Sequence, residues 1–374
     1  TTVAIAATLE ALLPGVITEH MPLNSFTKDP SRTNYALTME GIGATIKSLI
    51  KAAGAAIAKL AKRMYEWLKR LFGKGSTAEQ GKENARKAER TGEERTKAED
   101  DLEKAKAEVP DEHKHDVDAK LKTDLDVGLH NVGDVSENAA LAQLAGKISM
   151  FTHNYATNPI WLGAIDKFTT TAIRDSNVQM SAVVGAMRTL SSLKTHAEID
   201  EVISKLQRPA IGMLADLMKI PEIQRLCDAV DTDDEKAGVI YRFLRDATVT
   251  DAKYDLTKIP EFDGTAATDL FDRMVDYQNG RFLHRLEEFV SIWDATIVEF
   301  EELVSTGDGS STDDPVVVRR AMQSFRGMLN ELLMVNQILH ILQVAINHYS
   351  MLIIESNMSA IYSIKKAETI IGTA

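Results

Sequence analysis

Residues 332–354, LLMVNQILHILQVAINHYSMLII, decide the fold class. The run holds no Lys, Arg, Asp or Glu, and its apolar groups recur at steps of three and four. Followed in both directions, the pattern becomes heptads. Val318, Phe325, Leu332, Leu339, Ile346, Ile353, Ala360 and Ala367 share one position; Ala321, Met328, Val335, Leu342 and Tyr349 fall three later, before Ser356 and Ser363 weaken the seam. This spacing predicts one helix from near Pro315 to about Ile371, on the order of 80 Å long at about 1.5 Å per residue. The run also has nearly the length of a membrane span. Asn336, Gln337, His340, Gln343, Asn347, His348 and Ser350 make that reading expensive, because each would need a polar partner in lipid. A helix at the centre of a protein bundle is the expectation.

Upstream, an aromatic-rich stripe runs through Phe271, Val275, Phe282, Leu286, Phe289, Trp293, Phe300 and Leu303, predicting a helix over about 266–304. The segment GDGSSTDDP, Gly307 to Pro315, lies between it and the long helix and suits a reversal into an antiparallel pair. Further back, Ser136 can cap a helix through roughly Tyr155, and Asn158-Pro159 opens another with Pro at its first position. Thr195 to Glu198 and Thr232 to Glu235 have capping-box spacing. Residues 248–263 read as a loop. The expectation is therefore an all-α protein: an elongated helical bundle domain over 135–374 with long C-terminal antiparallel helices. An irregular segment over 1–40 comes first, then a basic amphipathic helix over 41–75 and a charged helical or disordered linker over 76–134. The linker is rich in Ala, Glu, Lys, Asp and Arg, and residues 76–126 are expected to add little to a hydrophobic core.

The basic helix is the main functional signal. Over IGATIKSLIKAAGAAIAKLAKRMYEWLKRLFGK, residues 42–74, Ile42, Ile46, Leu49, Ala53, Ile57, Leu60, Met64, Leu68 and Leu71 line one face, with Trp67 and Phe72 at its end. Lys47, Lys51, Lys59, Lys62, Arg63, Lys69, Arg70 and Lys74 face a single acid, Glu66. The local surplus is about +7 by residue count, inside a chain of formal net charge −12. An apolar stripe accompanied by cations is the pattern of a helix docking on an anionic membrane or on a partner, though core packing explains most amphipathic helices. The same cations could meet packaged nucleic acid, with only Tyr65 and Trp67 to interleave.

No chemistry of comparable strength appears elsewhere. The chain has 374 residues, 44% hydrophobic and 26% charged, enough for one large or two ordinary domains with a sizeable core. Its acidic balance argues against nucleic-acid binding through the whole surface. The single Cys227 excludes an intramolecular disulfide and a cysteine zinc site. Among the 9 His there is no HExxH; His113 and His115 sit in the charged linker, and core packing is favoured for His340 and His348. Asp231, Asp233 and Asp234, like Asp308, Asp313 and Asp314, lack the glycine and terminal Glu of a calcium loop. Gly41-Ile42-Gly43 and Gly73-Lys74-Gly75-Ser76 lack Walker spacing. No catalytic residue, cofactor, metal or small-molecule substrate is expected, although an enzyme with an unrecognised site is one alternative. The Thr1 start fits either removal of an initiator Met or protease maturation.

The order of features carries a resemblance. Glu40-Gly41-Ile42 leads into the basic helix, which closes on Trp67-Leu68-Lys69-Arg70-Leu71-Phe72-Gly73-Lys74; a charged linker and a long helical body follow. This resembles the internal virion proteins of large tailed bacteriophages, head-resident or ejected structural proteins. Residues 40–75 and the general architecture carry it, and melittin-like peptides share the opening Gly41 to Ala44. The resemblance implies a non-enzymatic protein of the phage particle, often matured by a phage protease. Its partners would be other virion proteins and further copies of itself, with membrane or packaged DNA contact through residues 42–74. A membrane-acting helical effector or pore-former is the other alternative, with a cytoplasmic or membrane-associated location.

Overall fold

The computed structural model describes residues 39–72, 77–124, 147–190, 201–203, 211–251, 253, 262–277, 282–306 and 314–372. Among them there is no strand, only one antiparallel bridge between Ser149 and Thr250. The protein is all-α. Its principal helices are α1 (Met39–Phe72), α2 (Thr77–Glu108), α3 (Asp111–Asp124), α4 (Met150–Thr157), α5 (Pro159–Leu190), α6 (Pro221–Cys227), α7 (Asp233–Ala247), α8 (Gly264–Asp276), α9 (Leu283–Thr306) and α10 (Asp314–Gly372). The capping signals act as expected where they are described. Pro159 opens α5, and Thr232 and Glu235 form a complete capping box on α7. The cap of α4 is Ser149, whose side chain accepts from the Thr152 N–H; Ser136 and Thr195 lie outside the described residues.

The chain divides into two compact units that do not follow the sequential segmentation at residues 41, 76 and 135. The first takes α1 as far as Lys69, α5 from Arg174, α9, and α10 as far as Leu333. Its centre is aromatic. Trp293 stacks on Phe289 with ring centroids 5.2 Å apart and meets Phe325 edge-on at 5.6 Å. The Trp293–Phe325 contact sets the direction of α9 against α10. Each residue lies roughly 17–20 Å of helix from the intervening seven-residue connection, so the two side chains meet only if the chain reverses. Arg188 on α5 bonds to Glu288 on α9, which also accepts from Arg285 at 2.9 Å.

The second unit holds α2 to α4, α5 as far as Ile173, α6 to α8, and α10 from Met334. The stripe expected over 266–304 serves both units: α8 packs on α2, while α9 lies with α10 in the first unit, and residues 278–281 between them lie outside the described residues. One expectation is corrected: residues 76–126 do contribute to a core. Ala78, Gly81, Ala85, Ala88, Thr91, Leu102 and Val117 are buried, most of them at the three-and-four spacing of a seam. The seam escapes a reading by hydrophobicity because its residues are small. Small side chains let helix backbones approach closely, so α2 packs with little apolar bulk of its own.

Two neighbours use that closeness. Phe271 and Asp272 of α8 lie against Gly81 and Lys82, whereas Thr265 bonds to Glu89 at 2.9 Å and Gly264 abuts Ala85, so α8 runs antiparallel to α2. The far half of α10 runs parallel to it. Asn84 donates to Asn347 at 2.8 Å, Ala88 packs with Tyr349 and Ile353, Asn357 reaches Thr91, and Leu102 packs with Ile364, Ala367 and Ile370. Among the polar groups buried along α10, Asn347 and Asn357 meet partners on α2, while the Ser350 and Ser363 hydroxyls donate to carbonyls of α10 itself, four residues back. Every described a and d position of the heptads from Ala321 to Ala367 is buried, Ser356 and Ser363 included. Around α4, Phe151 stacks on Tyr155 and meets Trp161 edge-on, while Tyr155 and Phe262 both contact Tyr349.

Candidate functional site

Residues 42–72 of the expected helix lie in α1, and Ile57, Met64 and Leu68 of its apolar stripe are buried. Ile50, Gly54, Ile57, Ala61, Met64 and Leu68 are buried, whereas Leu60 and Trp67 are only half-buried. The buried face is thus turned by roughly 50° from the stripe read off the large apolar residues, taking about 100° of rotation per residue. Gly54 explains the turn. The Trp293 indole N–H donates to the Gly54 carbonyl at 2.9 Å, and a Cβ on Gly54 would sit 1.5 Å from the Ile297 Cδ1 atom. A side chain at position 54 would have to displace that of Ile297, so α1 presents its small residues here, not the centre of its large ones. The side chains of Ile46, Lys47, Leu49, Leu71 and Phe72 lie outside the description.

Lys51, Lys59, Lys62, Arg63 and Lys69 are exposed, as is Arg70, the next residue along the helix. Projected down the axis, these cations occupy an arc of about 120° centred roughly opposite the buried stripe. Glu66 is exposed within the same arc, and the Lys69 ammonium lies 5.6 Å from the centre of the Tyr65 ring. A helix lying in a lipid interface needs its apolar stripe outward and its cations along the stripe's edges. In the folded chain the described surface of α1 is cationic, and Ile57, Met64 and Leu68 of the stripe are occupied. The site residues of the sequence reading therefore fall into two groups with different work: Ile57, Met64 and Leu68 hold the first unit together, while the lysines and arginines face solvent.

The remaining candidates do not form a reactive constellation among the described residues. No group of three or more His, Cys, Asp or Glu residues could hold a metal ion there. Cys227 is 1% exposed, and burial pushes its thiol pKa up, which disfavours the nucleophilic thiolate. Burial lowers the His340 pKa, opposed by a hydrogen bond with Gln343. Asp233 and Asp234 sit in the first turn of α7 beside its capping box. One described segment, Arg320–Gly372, is long and apolar enough to cross a membrane, and most of its apolar window is buried against protein. No family model, curated protein or solved structure matches the chain.

Proposed function

We propose that this chain is a non-enzymatic helical structural protein of a tailed-phage particle, which docks on an anionic surface through the cationic face of α1. One observation carries the docking: exposed Lys51, Lys59, Lys62, Arg63 and Lys69 on one face of a helix in a chain of net charge −12. Like-signed clustering of this kind raises local affinity for phosphate-bearing surfaces even when the whole molecule is acidic. Because Ile57, Met64 and Leu68 stay in the core, the contact is one of charge, made without inserting the helix. Packaged DNA and an anionic membrane share the phosphate chemistry that would meet these cations.

The virion assignment rests on the ordered features of residues 40–75 and on the helical body behind them. Mass spectrometry of purified particles of the encoding phage tests it: the chain should be present, and its absence would end the assignment. A second reading, a membrane-acting effector, draws on the apolar stripe itself, since an α1 released from the first unit would be a strong interfacial helix. That reading requires the intact protein to release dye from anionic vesicles; the charge-docking reading requires binding without release.

A further inference from the structure

The face of α10 that points away from the core carries Met351, Met358 and Tyr362, which are 44%, 52% and 74% exposed. With Glu355, Lys365 and Thr369 they fall within an arc of about 80° on the helix. Scattered exposed apolar groups are ordinary, but three large ones in line on one helix face are a surface without a partner among the described residues. The order along this face is Glu355, Met358, Tyr362, Lys365, with gaps of three, four and three. That order is symmetric about residue 360. A two-fold axis there lays Met358 on Tyr362 of a second copy and Glu355 on Lys365 of a second copy, each pair occurring twice. Met351 then meets Thr369. A self-complementary patch is what a two-fold homodimer requires.

We propose that the outer face of α10 around residue 360 is a homodimer interface, occupied by the same face of a second copy running antiparallel. The charges select this arrangement. A parallel pairing in register would set Glu355 against Glu355 and Lys365 against Lys365, and like charges in close apposition oppose association. Within one chain Glu355 also accepts from Lys147 at 2.5 Å, with both side chains substantially exposed. Lys147 therefore stands beside the patch and leaves Glu355 open to a second cation. A single helix pair lies at the small end of interface sizes, so the dimer is reversible and depends on concentration.

Sedimentation velocity on the full chain over a wide concentration range tests the interface. The wild-type chain should shift from monomer to dimer, and Tyr362→Glu should stay monomeric with an unchanged circular dichroism spectrum. Lys365→Glu should weaken dimerisation by about tenfold at low salt, because two attractions become two repulsions. The double variant Glu355→Lys, Lys365→Glu should recover most of that loss by exchanging the partners. Loss of the exposed Lys147 bridge in this variant is a minor effect. A chain that remains monomeric throughout, or a dimer indifferent to Tyr362→Glu and Lys365→Glu, overturns the proposal. A double variant no better than Lys365→Glu alone overturns the antiparallel pairing.

Discussion

Replacing Gly81 and Gly92 with alanine, one at a time, should change the stability of the chain unequally, with only Gly92→Ala stabilising it. Both glycines lie inside α2, where alanine is favoured over glycine by about 0.8–1.0 kcal/mol of helix propensity. At Gly92 the added Cβ would find only the Asn357 Nδ2 atom at 3.7 Å, an ordinary contact. Gly92→Ala should therefore stabilise by roughly 0.5–1 kcal/mol. At Gly81 the same atom would stand 2.5 Å from Phe271 Cε1 and 2.6 Å from Cζ, and that ring is 1% exposed. Moving a packed aromatic ring costs on the order of 1–3 kcal/mol, which cancels or exceeds the propensity gain. The two variants should differ by about 1–3 kcal/mol in urea unfolding followed by far-ultraviolet circular dichroism. Were α2 a solvated linker helix, both substitutions would stabilise equally. Equal stabilisation would refute the packed seam and restore the linker reading.

Four further outcomes follow from particular side chains. Thr232→Ala should cost about 1 kcal/mol by removing the α7 cap. The Glu235 carboxyl, whose pKa its hydrogen bonds with Thr232 lower, adds stability above its unfolded pKa that is lost as pH falls through the folded value. The gap between wild type and Glu235→Gln should close under acid in thermal melts. The neutral form of His340, favoured by burial, contributes stability that is complete above the unfolded value of about 6.5 and declines as pH falls below it. His340→Gln should flatten that part of the stability–pH curve. Cys227 should react with a thiol reagent only after denaturant exposes it, because burial both shields the thiol and raises its pKa; rapid labelling of the native chain would contradict its placement.

The long helix was almost fully legible, because a continuous heptad of large residues specifies both the element and its buried face. Phe325, Leu332, Leu339, Ile346 and Ile353 are all buried, and α10 runs from Asp314 to Gly372, within a residue or so of the expected ends. Illegibility set in where small residues do the packing. Ala78, Ala85 and Ala88 bury little area each, so a seam built from them looks like a solvated helix until its neighbours are known. The same cause turned α1: Gly54 meets Trp293 and Ile297, and Ala61 is fully buried where Leu60 is not. At the candidate site the cations were readable from composition. Their position opposite the buried stripe was not, because it depends on which face the rest of the first unit covers.

Binding by the intact protein shows whether α1 offers its charge outward while Ile57, Met64 and Leu68 stay in the core. Wild type and a variant with Lys51, Lys59, Lys62 and Lys69 changed to Glu should be compared on duplex DNA and on anionic vesicles, at low and high salt. The wild-type chain should bind at least one of these in a salt-sensitive way. The variant should lose that binding and keep an unchanged melting transition, since all four side chains are exposed. Binding that survives both high salt and the charge reversal, or that appears only when the first unit unfolds, would contradict this arrangement and return the apolar stripe to the docking role.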